Sequence, residues 1–148
     1  MKSVGGWEFP GRLRHAIVAV AAAALALVAC RDSTGPSPCD GVIQVGVTYG
    51  DLPTFTWAPR CGITNLAVTI IPANPTDPPP VVWGVTFSEL APVGPGITYG
   101  EAPKGAQIWK SPETLSLGTT YGVSVEYLLG GDGLAASGGA RFVWWPPD

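Results

Sequence analysis

Along most of this chain, apolar residues fall at every second position. Ile43, Val45 and Val47 share one parity within Val42 to Thr48, and Phe55 and Trp57 alternate with Thr54 and Thr56. Leu66, Val68 and Ile70 repeat the pattern. Val81, Trp83, Val85 and Phe87 do the same around Val82, Gly84 and Thr86. The clearest run sets Tyr121, Val123, Val125 and Tyr127 on one face and Gly122, Ser124, Glu126 and Leu128 on the other. A period of two is the mark of strands buried on one side. Gly130-Gly131-Asp132-Gly133 supplies a turn, and Ala140 to Trp145 a closing strand. Weaker runs near Ile97-Thr98-Tyr99 and Ala106 to Trp109 bring the number to seven or eight. Gly and Pro punctuate the intervals, so the pattern predicts an all-β domain. About seven short strands with turns between them point to a two-sheet sandwich.

One segment breaks the alternation. Ala16 to Ala29 carries no charge, and Met1 to His15 before it holds Lys2, Arg12 and Arg14 against Glu8. A basic start, a short apolar run and small residues before a cut describe a secretory signal peptide. The apolar run falls short of the roughly 20 residues of a membrane-spanning helix. Leu27-Val28-Ala29-Cys30 resembles the lipobox of bacterial lipoproteins. That resemblance implies cleavage before Cys30, diacylglycerol on its thiol and acylation of the new amino terminus. One acyl chain binds a bilayer marginally, whereas two or more hold a protein there. Leu13 separates Arg12 from Arg14, so there is no twin-arginine pair and export in unfolded form is expected. Arg31, not Asp, follows Cys30, and Asp32 comes one later. Under the enterobacterial sorting rule that order favours the outer membrane. The expected organisation is a signal peptide over 1–29, a lipidated tether rich in Pro, Gly and Ser over 30–38, and the β domain over 39–148. The expected location is the cell envelope, with the membrane as partner through Cys30.

Charge and composition narrow the chemistry. The chain from Cys30 onward has Arg31, Arg60, Lys104, Lys110 and Arg141 against ten carboxylates, a net charge of −5. No basic patch is present, which argues against nucleic acid as a partner. The single histidine, His15, leaves with the leader, and with it any Ser-His-Asp triad or histidine metal site. Cys39 and Cys61 form neither a zinc ligand set nor a CxxC redox pair. Gly130 to Gly133 is a turn without the Lys-Thr of a phosphate loop. Asp132 lacks the alternating oxygen ligands of a calcium loop. Ten acids could supply a glycosidase pair in number, but context flags none. A non-catalytic protein without metal or cofactor is the expectation.

In an oxidising compartment a disulfide is the default state for Cys39 and Cys61. Their spacing adds a geometric reason. Gly50-Asp51 lies midway between them, and a hairpin about that point would set Cys39 opposite Cys61 and Val45 opposite Phe55. Pro72 to Pro80 is a second proline-rich stretch, read as a long loop or polyproline segment within the domain.

Two further motifs carry a fold resemblance. Leu115-Ser116-Leu117-Gly118-Thr119-Thr120-Tyr121-Gly122-Val123-Ser124-Val125 resembles the sixth-strand signature of fibronectin type III domains, with Leu117 where the family has Pro. Thr54-Phe55-Thr56-Trp57-Ala58-Pro59 is similar to that family's second strand, whose core Trp precedes a Pro. The resemblance covers Cys39 to Trp145. It implies that Trp57 fills the space between two sheets. It also implies that Tyr121 makes a tyrosine corner, its ring buried and its hydroxyl bonded to backbone a few residues upstream. The cysteine pair and the long region from Pro72 to Pro112 depart from the family, and strand order over 72–112 stays open.

Val47-Thr48-Tyr49-Gly50-Asp51-Leu52-Pro53 recurs as Ile97-Thr98-Tyr99-Gly100-Glu101-Ala102-Pro103. The segments that follow do not match, so both read as strands ending in glycine turns rather than as a duplicated domain. Trp83 shares parity with Val81 and Val85 and belongs to the core. Trp144 and Trp145 must point to opposite faces of a strand. Tyr99, Trp109 and Trp145 are the candidate exposed rings. Two functions follow. The first is a sandwich that makes protein contacts at the cell surface or in the periplasm. The alternative is a carbohydrate-binding module stacking those rings on a glycan. A contiguous row of exposed rings would mark the second; a flat polar face with an open strand edge would mark the first.

Overall fold

The structure is a computed structural model that describes residues 35–130 and 133–145. Eight strands form within it: β1 (Gly41–Thr48), β2 (Thr54–Ala58), β3 (Asn65–Ile70), β4 (Val81–Thr86), β5 (Ile97–Thr98), β6 (Gln107–Lys110), β7 (Thr120–Leu129) and β8 (Gly133–Val143). Among the described residues the fold is all-β, without a helix. The strands make one curled mixed sheet in the order β5-β2-β1-β8-β7-β3-β4-β6. The lipobox, the leader and the tether up to Thr34 lie outside the described residues.

The curl turns on β1. Its first residues, Gly41 to Ile43, pair in parallel with Ala136 to Gly138 of β8. Its later residues, Gln44 to Thr48, pair antiparallel with Ala58 to Thr54 of β2. Gly138 is required at this crossing, because a Cβ there would collide with the Ile43 carbonyl oxygen. The alternation read from sequence sets the inward face. Ile43, Phe55, Trp57, Leu66, Val68, Trp83, Val85, Tyr121, Val123, Val125 and Phe142 are all buried. Side chains from the two arms of the curl meet in that core. Phe55 of β2 lies 5.8 Å from Phe142 of β8, and Phe142 stacks on Tyr121 of β7 at 5.5 Å.

The first hairpin differs from expectation. Val45 faces Trp57 and Val47 faces Phe55, so the pivot is Asp51 in a five-residue loop from Tyr49 to Pro53. Each strand residue meets a partner two positions further along than expected, which preserves the inward and outward parity. Cys39 and Cys61 are disulfide-bonded, with Cα atoms 4.8 Å apart. The bridge does not cross the hairpin ladder. Beyond Ala58 the chain turns, and Gly62 meets Pro38 in a parallel bridge. Cys39 N–H donates to Gly62 O at 3.0 Å and Gly62 N–H donates to Ser37 O at 2.7 Å.

The middle region resolves into two strands on opposite sides of the sheet. β5 pairs with β2, and β6 pairs with β4 across a bulge at Gly84/Val85. Residues 72–80 form the loop between β3 and β4.

Candidate functional site

The residues singled out from sequence go to three kinds of place. Trp57 is buried, and its Nε1–H donates to Cys61 O at 2.9 Å, tying the β2 core to the disulfide corner. Tyr121 is buried, and its hydroxyl accepts the Ser116 N–H at 2.8 Å, five residues upstream. Both are structural elements of the core.

Tyr99 is a correction to the set of exposed rings. It is 3% exposed. Its hydroxyl donates to Glu113 O at 2.7 Å and lies 3.2 Å from Val82 O. Its ring meets Trp83 edge-on at 5.3 Å. Burial pushes the Tyr99 hydroxyl up to about 12. The matching tyrosine of the repeated heptapeptide, Tyr49, is 57% exposed in the hairpin loop.

Trp109 and Trp145 do present ring surface, at 52% and 60% exposed. Trp109 sits at the bulge of β6, and its indole lies over Gly84 of β4, where a Cβ would strike Cε2 and Cζ2. Trp145 follows β8, with its ring against Gly118. The two rings are not neighbours. Gly84 pairs with Ala67, which pairs with Ser124 of β7, whereas Gly118 lies six residues before Ser124. That separation is about 20 Å along the strand direction, with intervening strands besides. No contiguous row of rings joins Trp109, Trp145 and Tyr99.

What the sheet does present is a face of small and polar side chains. The outward positions of β8, β7, β3, β4 and β6 line up in cross-strand rows. One row runs Ser137, Glu126, Asn65, Thr86, Gln107, and Asn65 Nδ2 donates to Glu126 Oε2 at 2.9 Å. The next runs Gly139, Ser124, Ala67, Gly84, of which Ala67 is buried and Gly84 lies buried beneath the Trp109 ring. A third has Arg141, Gly122 and Thr69. Sequence parity marks these positions as outward, but their assembly into rows depends on strand order, which parity does not give.

The sheet ends in β6, whose far side has no strand partner among the described residues. Ile108 and Trp109 on this edge are both half exposed. Lys110, the edge charge that would deter a further strand, is engaged with Glu113 at 2.6 Å.

Open grooves lie on the surface of the described residues. One of about 340 Å³ lies between the proline-rich loop and Arg141, lined by Ile71, Pro72, Pro75, Asp77 and Pro79. Another of about 310 Å³ lies beside Trp57 and Arg60. Among the described residues no group of three His, Cys, Asp or Glu side chains converges on a metal-sized space. Comparison with family models, curated proteins and solved structures gives no match.

Proposed function

We propose that this chain is a non-catalytic, lipid-anchored envelope protein whose β domain makes protein–protein contacts. The observation that carries the reading is the outward face of β8-β7-β3-β4-β6, a field of small and polar side chains that runs out to the open edge of β6. Such a surface lets another protein approach closely and pair with an exposed strand. The anchor part of the proposal rests on the lipobox at Cys30, and outer-membrane placement on Arg31 after it.

We further read the curled sheet as a fibronectin type III-like sandwich. Dividing it at β1 gives an arm β5-β2-β1 and an arm β8-β7-β3-β4-β6. The Phe55–Phe142 contact between arms and the Tyr121–Ser116 bond support that reading. The extra strand β6 on the β4 edge is this chain's own addition.

A carbohydrate-binding reading keeps one observation, the half-exposed Trp109 ring beside Gln107 and Thr86. The test separates the two. A photo-cross-linking residue is placed at Ser124 or Thr86 on the outward face, with Asp51 in the first hairpin loop as control. An adduct of constant mass from the face positions, lost when the exposed Ser137 is changed to Arg, is the expected result. Glycan binding abolished by Trp109→Ala would favour the alternative. The absence of both results would leave the proposal without support.

A further inference from the structure

Three large apolar side chains stand in water at one end of the domain. Leu90 is 97% exposed, Leu129 52% and Leu134 57%. Backbone bonding brings their segments together at Thr64. Phe87 N–H donates to Thr64 O at 2.8 Å, and Val93 pairs with Ile63, which closes the loop that carries Leu90. Leu128 N–H donates to Thr64 Oγ1 at 2.8 Å, and Leu128 faces Leu134 at the β7–β8 turn beside Leu129.

The amino-terminal chain enters at this same end. Pro36 packs over Gly62 and Gly94, Ser37 and Cys39 bond to Gly62, and the disulfide fixes Cys39 to Cys61. Gly62 is two residues from Thr64. The chain is therefore held to the domain from Pro36 onward. Only the six peptide steps from Cys30 to Pro36 separate the expected lipid from that hold, a reach of about 21 Å when fully extended.

We infer that Leu90, Leu129 and Leu134 insert into the bilayer surface and hold the domain end-on to the membrane. The inference rests on the lipid-anchor reading of Cys30. The occupant is a lipid surface because the anchor delivers this end to one. Exposed leucines on a loop and at strand ends gain by burial in the acyl boundary, as amphipathic surface elements do. The local charge sets the lipid class. Glu89 adjoins Leu90, Asp40 immediately precedes β1, and Glu126 lies on β7 three residues before Leu129. A neutral bilayer of phosphatidylethanolamine and phosphatidylcholine suits this end, and anionic lipid opposes it.

The test uses the acylated chain reconstituted in such vesicles. Ala91, exposed beside Leu90, is changed to Cys and nitroxide-labelled; Asp51→Cys in the β1–β2 loop serves as the far-end control. The introduced thiol alone reacts, because Cys39 and Cys61 are bonded and Cys30 is acylated. The Ala91 label is expected to be several-fold more accessible to oxygen than to a water-soluble nickel complex, relative to the control. Leu90→Ser with Leu129→Ser and Leu134→Ser should abolish that difference, and adding anionic lipid should reduce it. Acylated, vesicle-bound protein whose Ala91 label is as wet as the control overturns the inference alone. An unacylated chain that remains in the aqueous phase overturns the anchor reading and this one with it.

Discussion

Replacing Gly84 with alanine should destabilise this domain, although glycine is the poorer strand residue. In an unobstructed strand the change should stabilise by about 0.5–1 kcal/mol through the unfolded chain's lost freedom. Here the new methyl would occupy the space of the Trp109 indole. Trp109 is 52% exposed, so roughly half its surface is covered. A fully buried Trp covers up to about 250 Å². Lifting the ring off the sheet therefore re-exposes roughly 120 Å², about 3 kcal/mol at 25 cal/mol per Å². A ring that tilts instead of leaving would lose less. The expected net cost of Gly84→Ala is about 1–2 kcal/mol. In a Trp109→Ala background the same change should be neutral or stabilising, because nothing is left to displace. Urea unfolding followed by far-ultraviolet circular dichroism on the Cys30→Ser chain measures both, and the slope with denaturant checks that the unfolded state is unaltered. A cost that is equal in the two backgrounds, or absent in the first, would refute the packing argument.

Three other outcomes are expected. Reducing the Cys39–Cys61 bridge, which closes a separation of 22 residues, should lower stability by about 3 kcal/mol in the chain-entropy model, read as a fall in Tm with reductant. Tyr121→Phe keeps the ring stacked on Phe142 but strips Ser116 N–H of its acceptor; the expected loss is about 1–2 kcal/mol in a denaturant titration, and no loss would show that bond to be dispensable. Tyr99 has a hydroxyl raised to about 12 from 10.0. The unfolded chain releases that proton first, so stability should be level below pH 10 and fall between pH 10 and 12, by on the order of 2 kcal/mol. Tyr99→Phe should flatten this alkaline decline, and a decline unchanged in the variant would assign it to another group.

Much of the core could be read from alternation, and the reason is local. In β7 every second side chain from Tyr121 to Tyr127 is buried, because the strand is covered on one face only. The same rule fails in β4, where Val82, Trp83 and Gly84 are all buried in succession. Gly84 is covered by a tryptophan from a strand 25 residues later, which no local period records. The two heptapeptides make the limit plainer. Tyr49 and Tyr99 share almost the same neighbours, yet one ring is solvated and the other is sealed beneath Glu113 and Val82. What separates them is the sheet position of the preceding strand. The register of the first hairpin is hidden for a similar reason. Alternation is the same whether the pivot falls on Gly50 or on Asp51, so parity alone does not choose between the two registers. The polar rows of the outward face and the leucine-bearing end likewise depend on topology. Exposure of Leu90 within Ser88-Glu89-Leu90-Ala91 has no periodic signature at all.

The pairing of Gly41–Ile43 with Ala136–Gly138 joins the first strand of the domain to the last. A ribosome or an export channel releases β1 first and β8 at the end. Until β8 emerges, β1 lacks one of its two partners and β7 lacks the longest of its ladders. Closure of the curl is thus deferred until β8 is present, since so distant a contact stabilises nothing before both strands have formed. A nascent chain stalled anywhere before Ala136 should stay open and protease-sensitive. The architecture itself thus makes β8 the element on which the whole curl waits.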